Sequence, residues 1–326
     1  MNFTIIIATC GRPERLRRTL SVAGEALRVA GGNQRLIVVD NGPMHPAGSI
    51  VREFGAVSGA AVTYLESEPR NKARALNVGI RAADTEWLAF TDDDTLPDAQ
   101  WLASAAAFTA ASGYRVFGGR IAPGAAEQPL PRWLVPGRSG RISQMGVFVE
   151  YAPRPDSGAL EPSMPVPFGA NVFAMRRVFE EHGGYDEALW RLCGRVPLGS
   201  EDSEFGIRVR ERGERIGYCH EALVVHPVHH ERCTLRSHLR LAYYYGWREP
   251  MIFFRADRPL FEKYYLRLVG SRAAGMVADF CRRDPAGAAD HLINSVRAVG
   301  HMVGRWTPAY RERARAMANK TVGTRI

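Results

Sequence analysis

Three consecutive carboxylates, Asp92, Asp93 and Asp94, directly follow the apolar run WLAFT. Like charges this close repel one another, so some would stay protonated unless a cation neutralised them. Mg²⁺ and Mn²⁺ prefer oxygen ligands and bind through one or two carboxylates together with substrate phosphates. Because side chains alternate along an extended segment, Asp92 and Asp94 should share one side of it. A solvated turn closed by Pro97 is the alternative, but the rest of the sequence favours a metal.

A further carboxylate, Asp202, lies in the segment GSEDSEFGIRVRERG, residues 199–213. Ser200 is a good helix N-cap, and stabilisation of the helix dipole is the structural alternative for Glu201 and Asp202. Asp202, however, shares a helix face with the apolar Phe205. A carboxylate on an apolar face is costly unless it is paired or used, so we interpret Asp202 as a general base.

The segment RNKARALNVGIRAA contains three cations near its start, Arg70, Lys72 and Arg74, and predicts a helix over 73–83. Helix N-termini and cations both attract phosphate groups, so this segment is a candidate nucleotide contact. Arg12, shortly after the first apolar run, is a similar candidate. A solvated basic face is the alternative for each of these cations.

The stretch VVHPVHHERC contains His226, His229 and His230. Imidazole suits Zn²⁺ better than Mn²⁺ but is found in sites for both ions. A lone histidine is more often structural. The sequence favours His226 over the other two as an additional metal ligand.

Short apolar runs alternate with helical patterns in the first half of the chain. Four runs predict buried strands: residues 3–9, 36–39, 62–65 and 87–91. This alternation predicts an α/β fold with a mostly parallel sheet flanked by helices. Ligands bind at the carboxyl ends of the strands in such sheets. Thr9, Asp40 and Asp92 all fall at those ends, so we expect them to share one site.

The chain changes character after this α/β half. Residues 120–170 are rich in Pro and Gly and predict long loops, of the kind that form lids or acceptor sites, around a short strand MGVFVEY. From about residue 234 the pattern is helical and basic. We therefore predict a catalytic domain over 1–230 and a mostly helical extension over 231–326.

Composition limits the class of protein. Hydrophobic residues make up 46% and charged residues 24%, which excludes a disordered or fibrous chain. Five scattered cysteines without a CxxC pair favour reduced thiols in a cytoplasm. We recognise no signal peptide and no membrane-spanning run, so we expect a cytoplasmic protein, in solution or at the inner face of the membrane. The net charge of +9 suits anionic partners.

Six segments, taken in order, resemble the inverting nucleotide-sugar glycosyltransferases of family 2, which have the GT-A fold. They are TIIIATCGRPERL, VVDNG, RNKARALNVGI, AFTDDDTLPDAQWL, FGANVFAMRRVFEEHGGYDEAL and GSEDSEFGIRVRERG. Each segment alone is unspecific, whereas their ordered combination is specific. The resemblance covers residues 1–230 and leaves the C-terminal extension outside.

The resemblance implies a role for each candidate residue. The nucleotide contacts would be Thr9, Arg12, Asp40, Asn71, Lys72, Arg74, Asp92 and Asp93, with Asp40 on the base and Asp92 near the ribose. Asp94 would hold Mn²⁺ or Mg²⁺, and His226 would join it, as a histidine does in some GT-A enzymes only. The donor and acceptor cleft would be lined by Gly169, Ala170, Asn171 and Glu201, with Asp202 as the base.

The implied donor is a UDP-, dTDP- or GDP-sugar, and the implied acceptor is a hydroxyl of a glycan, a glycolipid or a small metabolite. For the extension, packing, a homodimer interface, an acceptor platform and peripheral membrane contact stay open. A sugar-1-phosphate nucleotidyltransferase would need a glycine-rich N-terminal signature, which ATCGRPERL lacks. A non-catalytic nucleotide-binding module would lack the aspartates. No nucleic-acid motif and no GxGxxG accompany the charge, so neither nucleic acid nor NAD is expected.

Overall fold

The computed structural model describes residues 1–68, 70–126, 128–135, 146–189, 200–252, 261–308 and 310. The chain groups into two compact units, one containing residues 1–124 and 150–227 and the other residues 125–149 and 228–326. The segment 125–149, which the sequence analysis placed in the catalytic domain, therefore groups with the C-terminal helices.

The first unit alternates strands with helices. Its elements are β1 (Phe3–Thr9), α1 (Pro13–Ala30), β2 (Arg35–Asp40), α2 (Gly48–Ser58), β3 (Ala61–Glu66), α3 (Lys72–Ala82), β4 (Trp87–Asp92), β5 (Leu96–Pro97), α4 (Trp101–Ser112), β6 (Val116–Pro123), β7 (Gly158–Ala159), β8 (Val172–Met175), α5 (Arg176–His182), α6 (Glu201–Glu211) and β9 (Ile216–His226). The four predicted strands and the helix predicted over 73–83 are confirmed to within one residue at each end.

The nine strands of the described residues form one sheet, in the order β3-β2-β1-β4-β8-β6-β9-β5, with β7 paired to β9. The strands β1 to β4 run parallel, and β8 lies antiparallel between β4 and β6. The strands β6 and β9 are again parallel. This mixed, mostly parallel sheet flanked by helices is the predicted α/β architecture.

The strand register gathers the predicted site residues at one edge. All seven residues of β1 are buried, as expected for a central parallel strand covered on both faces. Thr9 lies opposite Asp40 on β2, and Ala8 lies opposite Asp92 on β4. The carboxyl ends of three neighbouring strands therefore place Thr9, Asp40 and Asp92 side by side.

The predicted strand MGVFVEY is wrong in the part that the structure describes, which excludes Met145. Among these residues only Tyr151 pairs with the sheet, in an isolated bridge to Ile121 with N–O distances of 2.9 and 3.0 Å. Val147 and Phe148 are both buried in a small cluster of the second unit. Adjacent residues of a strand point to opposite faces, so burial of both in one cluster is incompatible with a strand.

The second unit is helical, as predicted. A short 3₁₀ turn (His230–Arg232) precedes α7 (Leu235–Ile252), α8 (Phe261–Cys281) and α9 (Pro285–Arg305). Gly300 and Gly304 allow α9 to approach the backbone of α7, since an ideal Cβ at either would lie 2.1 Å from a carbonyl oxygen of that helix. None of the helices within the described ranges is long and apolar enough to cross a membrane.

A bulge between β6 and β9 creates a position that requires glycine. The register shifts between Gly119 and Arg120, and the fully buried Asn171 fills the irregularity. The Asn171 amide donates to the carbonyl oxygens of Arg120 and Ala222, each at 2.8 Å, and its Oδ1 accepts from Trp101 Nε1 at 2.8 Å. An ideal Cβ on Gly119 would lie 2.3 Å from the Ala222 carbonyl oxygen.

We expect Gly119→Ala to destabilise the protein by at least ~1–3 kcal/mol, because backbone and a fully bonded side chain surround the added methyl group. The measurement is the midpoint of thermal unfolding. Gly55→Ala is the matched control, since its Cβ would meet only ordinary contacts, at 3.7 Å or more. Equal unfolding midpoints of Gly119→Ala and wild type would contradict the conclusion that position 119 requires glycine.

Candidate active site

The acidic triplet begins where β4 ends. Asp92 is the last residue of β4, and the chain then turns, with Thr95 Oγ1 donating to the Asp92 carbonyl oxygen at 2.8 Å. Extended alternation of side chains therefore stops at Asp92. The expectation that Asp92 and Asp94 share one side of an extended segment is wrong, and their carboxylates meet different partners.

Asp93 is a fully buried anchor. Its Oδ2 accepts a hydrogen bond from Thr9 Oγ1 at 2.7 Å, and its Oδ1 lies 2.6 Å from Arg12 Nη2 as an ion pair without hydrogen-bond alignment. Burial raises the pKa of the Asp93 carboxyl to about 6, although Arg12 favours the ionised form. Thr9 and Asp93 are both buried and bonded to each other, and Asp93 pairs with Arg12, so together they position this arginine; direct contact of either residue with a nucleotide stays a prediction.

Asp94 lies between cations and a histidine. Its Oδ2 accepts from Arg12 Nη1 at 2.9 Å, and Arg15 Nη1 is 3.7 Å away. Its Oδ1 lies 3.9 Å from Nε2 of the buried His226. Two ligand atoms at ~2.1 Å from one octahedral ion are ~3–4 Å apart. The spacing of the Asp94 and His226 atoms is therefore compatible with a shared divalent cation, and their role as metal ligands stays a prediction.

Lys72 connects β4 to α6. Its Nζ lies 2.5 Å from Asp92 Oδ1 and 3.6 Å from Glu201 Oε1. Burial disfavours the charged ammonium, but Asp92 and then Glu201 outweigh it and raise the pKa of Lys72. Glu201 is buried, and its Oε2 accepts from the backbone N–H of Ser200 at 2.9 Å. Lys72 thus holds together Asp92, the carboxylate predicted to lie near the ribose, and Glu201, the first residue of the helix that contains the predicted base Asp202.

Asp202 is held by two backbone amides. Its Oδ2 accepts from Gly169 N at 2.6 Å, and its Oδ1 accepts from Ser203 N at 2.6 Å. The absence of a side chain at Gly169 permits this close approach, because an ideal Cβ there would crowd Asp202 Oδ2 at 3.2 Å. The Ser200 side chain makes no capping hydrogen bond, contrary to the expectation from sequence. Asp202 is only partly buried, so its carboxylate keeps contact with solvent.

The segment 169–171 also contacts the sheet. The Ala170 carbonyl oxygen accepts from Thr91 Oγ1 on β4 at 2.9 Å. Asn171 does not line a cleft with its side chain, which is fully buried and bonded at the β6–β9 bulge. Its contribution is to fix the backbone that presents Gly169 to Asp202.

Two further predicted contacts use their side chains inside the protein. Asp40 is fully buried, and its carboxylate accepts from Gly42 N at 2.8 Å and Ala47 N at 2.9 Å. Asn71 caps α3 by accepting from Arg74 N at 3.1 Å. Asp40 therefore shapes the turn after β2 rather than presenting a free carboxylate to a base, and Asn71 fixes the start of α3.

The structure adds residues that the sequence analysis missed. Asn77 on α3 is buried, and its Oδ1 accepts from Tyr185 N at 2.9 Å. Its Nδ2 donates to the Tyr185 carbonyl oxygen at 2.9 Å and to Glu187 Oε1 at 3.0 Å. Arg74 Nε donates to Glu187 Oε2 at 2.9 Å. A polar residue on the apolar face of α3, beside Leu76 and one turn before Ile80, was the available signal.

Tyr185 is wedged between the two carboxylate-bearing elements. Its ring centroid lies 5.8 Å from that of Phe90, two residues before Asp92 on β4. It lies 5.2 Å from the ring centroid of Phe205, three residues after Asp202 on α6. Burial, followed by the charge of Asp202, raises the pKa of the Tyr185 phenol. Tyr185 therefore packs β4 against α6 beside the predicted base.

Two layers of polar groups result. The buried layer positions the backbone and the charged groups. The outer layer keeps solvent contact, with side chains 35% exposed at Arg12 and Lys72, 31% at Arg74 and 24% at Asp92. Such a set offers cations to an anionic ligand and a carboxylate to a proton.

Known proteins match this sequence and fold. The family model described as Glycosyl transferase family 2 matches residues 4–183. The chain belongs to this family. A curated relative of this family 2 chain is glycosyltransferase AglE of Haloferax volcanii, 20% identical over 224 residues. That match covers 69% of this chain and 66% of AglE, slightly less than two thirds of the relative.

Solved structures show the same GT-A glycosyltransferase fold. Mannosyltransferase PcManGT from Pyrobaculum calidifontis, in complex with GDP-Man and Mn²⁺, has a TM-score of 0.54 at 18% identity and covers 97% of this chain and 79% of its own. Residues 1–349 of S. aureus TarS give a TM-score of 0.52 at 10% identity, with 92% of each chain covered. This family 2 chain therefore has the predicted architecture.

We expect Asn77→Leu to lower the free energy of unfolding by ~1–3 kcal/mol per orphaned backbone group, because the Tyr185 amide and carbonyl lose their partner. Thermal unfolding measures this loss. Asn33→Leu makes the same chemical change at an exposed position and should melt like the wild type. If both variants melted alike, Asn77 would not hold the Tyr185 turn.

Proposed function

We propose that this protein is an inverting, metal-dependent glycosyltransferase that moves a sugar from a nucleotide-diphosphate sugar to an acceptor hydroxyl, with Asp202 as general base. The observation that carries the proposal is the Lys72 bridge. Lys72 contacts both Asp92 and Glu201, and this supports one site shared by the carboxyl edge of the sheet and α6, the helix that contains Asp202. The sugar–phosphate bond would be broken beside a carboxylate that can accept a proton.

The donor side rests on the outer cations. Arg12, Lys72 and Arg74 offer positive charge to a diphosphate, and Arg12 is directed by its ion pairs with Asp93 and Asp94. The PcManGT structure contains GDP-Man, and a TarS structure contains UDP-GlcNAc. Both support a nucleotide-sugar donor for this chain. UDP-, dTDP- and GDP-sugars are the candidates.

The proposed metal site consists of the ligand atoms of Asp94 and His226. These two residues would hold Mn²⁺ or Mg²⁺, with Mn²⁺ present in the PcManGT structure. A bound divalent cation would stabilise the negative charge that develops on the leaving diphosphate. Arg12, 2.9 Å from Asp94, adds a fixed positive charge at the same place.

The acceptor side rests on Asp202. Its two backbone hydrogen bonds fix the carboxylate, and Oδ2, which accepts from Gly169 N, retains a lone pair for a proton, whereas Oδ1 accepts from both Ser203 N and Ser203 Oγ. The acceptor oxygen would form a bond to the anomeric carbon as the bond from that carbon to the diphosphate breaks, and Asp202 would take the hydroxyl proton. A single displacement from the face opposite the leaving group inverts the anomeric centre. The acceptor is a hydroxyl of a glycan, a glycolipid or a small metabolite.

Calorimetric titration with UDP, dTDP and GDP, each with and without Mn²⁺, tests the donor and metal side. We expect one nucleotide to bind with Mn²⁺ and to lose at least ~10-fold in affinity in Asp94→Ala, as removal of a metal ligand or its support does. Asp84→Ala, at an exposed carboxylate 59% accessible, is the matched control and should bind like wild type. Nucleotide binding that does not require Mn²⁺ and is equally strong in Asp94→Ala and Asp84→Ala would contradict the role of Asp94.

Release of nucleoside diphosphate from the donor, measured with Asp202→Asn, tests the base. Turnover should fall by ~10²–10⁴ with unchanged nucleotide affinity, because an amide cannot accept the proton. Glu211→Gln changes an exposed carboxylate at the end of the same helix and should keep full turnover. Wild-type turnover in Asp202→Asn would rule out its assignment as base.

A further inference from the structure

The positive charge of the chain is concentrated in the second unit. Residues 125–149 and 228–326 contain 21 Lys and Arg against 9 Asp and Glu, a formal charge of +12. Residues 1–124 and 150–227 contain 22 Lys and Arg against 25 Asp and Glu, a formal charge of −3. The net charge of +9 therefore comes from the unit that the proposed chemistry does not use.

The same unit exposes large apolar side chains. Of the eight exposed large hydrophobic residues within the described part of the chain, five lie on or directly after α8 and α9. They are Val277, Phe280, Val299, Val303 and Trp306. Phe280 is 79% exposed and Trp306 is 65% exposed. Scattered apolar residues need no explanation, but five in one hairpin of helices do.

The spacing forms one apolar stripe on each helix. Val277 and Phe280 are three residues apart on α8, and Val299, Val303 and Trp306 follow i, i+4, i+7 spacing along α9, so each set shares a face. We call these two sets the outer stripes.

The outer stripes point away from the packed faces of their helices. Gly300 and Gly304, which pack α9 on α7, lie about 100° around the helix from the stripe residues beside them. On α8, an ideal Cβ at Gly275 would lie 2.5 Å from the His291 ring of α9. Gly275 is two residues before Val277 and so faces the opposite side. Packing of α7, α8 and α9 therefore leaves the outer stripes uncovered.

We propose that the outer stripes dock on an anionic lipid bilayer, with the apolar side chains entering the interfacial region and arginines contacting the headgroups. Helices that lie in a membrane interface combine an apolar face containing Trp or Phe with basic residues. Arg267, Arg282 and Arg283 on and after α8 are exposed, and Arg282 is also in an ion pair with Asp279 at 3.7 Å. Each basic residue near an anionic surface adds attraction, and Trp favours the boundary between water and lipid.

Charge selects the lipid surface over a second copy of the chain. A symmetric dimer through the outer stripes would bring together two units that each carry +12, and like charges oppose such an interface. An anionic bilayer complements both the charge and the exposed apolar area. The inference goes beyond the proposed reaction, which uses residues of the first unit.

Co-sedimentation of the full chain with vesicles tests this inference. We expect binding to phosphatidylcholine vesicles with about 30% phosphatidylglycerol, weaker binding at high salt, and little binding to phosphatidylcholine alone. Phe280→Ser with Trp306→Ser should weaken binding at least about tenfold, and Arg267→Gln with Arg282→Gln about fivefold for each arginine removed. The matched control is Met44→Ser with Val57→Ser, because both residues are 85% exposed but lie in the first unit.

Two outcomes would overturn the proposal. One is equal sedimentation of wild type and the Phe280→Ser, Trp306→Ser variant, or no binding to anionic vesicles at low salt. The other is a wild-type dimer in analytical ultracentrifugation that this variant converts to a monomer, which would make the outer stripes a contact between copies. Thermal unfolding and nucleotide titration of the variant show that it is folded, and they separate this failure from failure of the proposed chemistry.

Discussion

Repulsion among carboxylates at one edge of the sheet is the constraint on which the site depends. Asp92, Asp93 and Asp94 are consecutive, and Glu201 and Asp202 approach them from α6. Two cations make this arrangement tolerable. Arg12 pairs with Asp93 and Asp94, and Lys72 pairs with Asp92 and Glu201. Removing either cation would leave more of the negative charge at this edge uncompensated, which is costly where the carboxylates are buried.

These pairs also set the division of labour within the site. Fully buried groups, such as Asp93 and Asp40, form their hydrogen bonds within the protein and keep loops and cations in place. Groups that are partly exposed, such as Lys72 and Asp202, face the space where a ligand would lie. In the proposed reaction, binding and catalysis would therefore depend on an inner layer whose members need not touch the substrate.

The sequence predicted the elements better than the hydrogen bonds. Continuous apolar runs such as FTIIIAT leave few alternatives to a buried strand, and parallel register then places Thr9 and Asp40 together. Residue type alone does not reveal which partner a polar side chain meets. The family resemblance implied that Asn171 lines a cleft, whereas its side chain bonds at a β-bulge that no local sequence pattern indicates.

The missed residues have the same cause. Asn77 and Tyr185 are 108 positions apart, and their contact depends on the path of the chain through the sheet. The strand predicted at MGVFVEY failed for a related reason, because an apolar run of this length suits a buried loop as well as a strand. Tertiary packing of Val147 and Phe148 decided between them.

The two units have opposite electrostatic characters, and this affects how a donor is captured. A nucleotide-diphosphate sugar is an anion, while the unit that contains the candidate site carries a formal charge of −3. In the proposed reaction this field would not attract the donor, so attraction would come from Arg12, Lys72 and Arg74 at short range and from the metal that Asp94 and His226 would hold. In such a site the metal would contribute to binding of the donor as well as to departure of the diphosphate. Asp92 already pairs with Lys72, and Asp94 already pairs with Arg12. The donor phosphates would therefore share Lys72 and Arg12 with these carboxylates, and the metal would share Asp94 with Arg12. Binding of the metal and binding of the donor would then depend on each other.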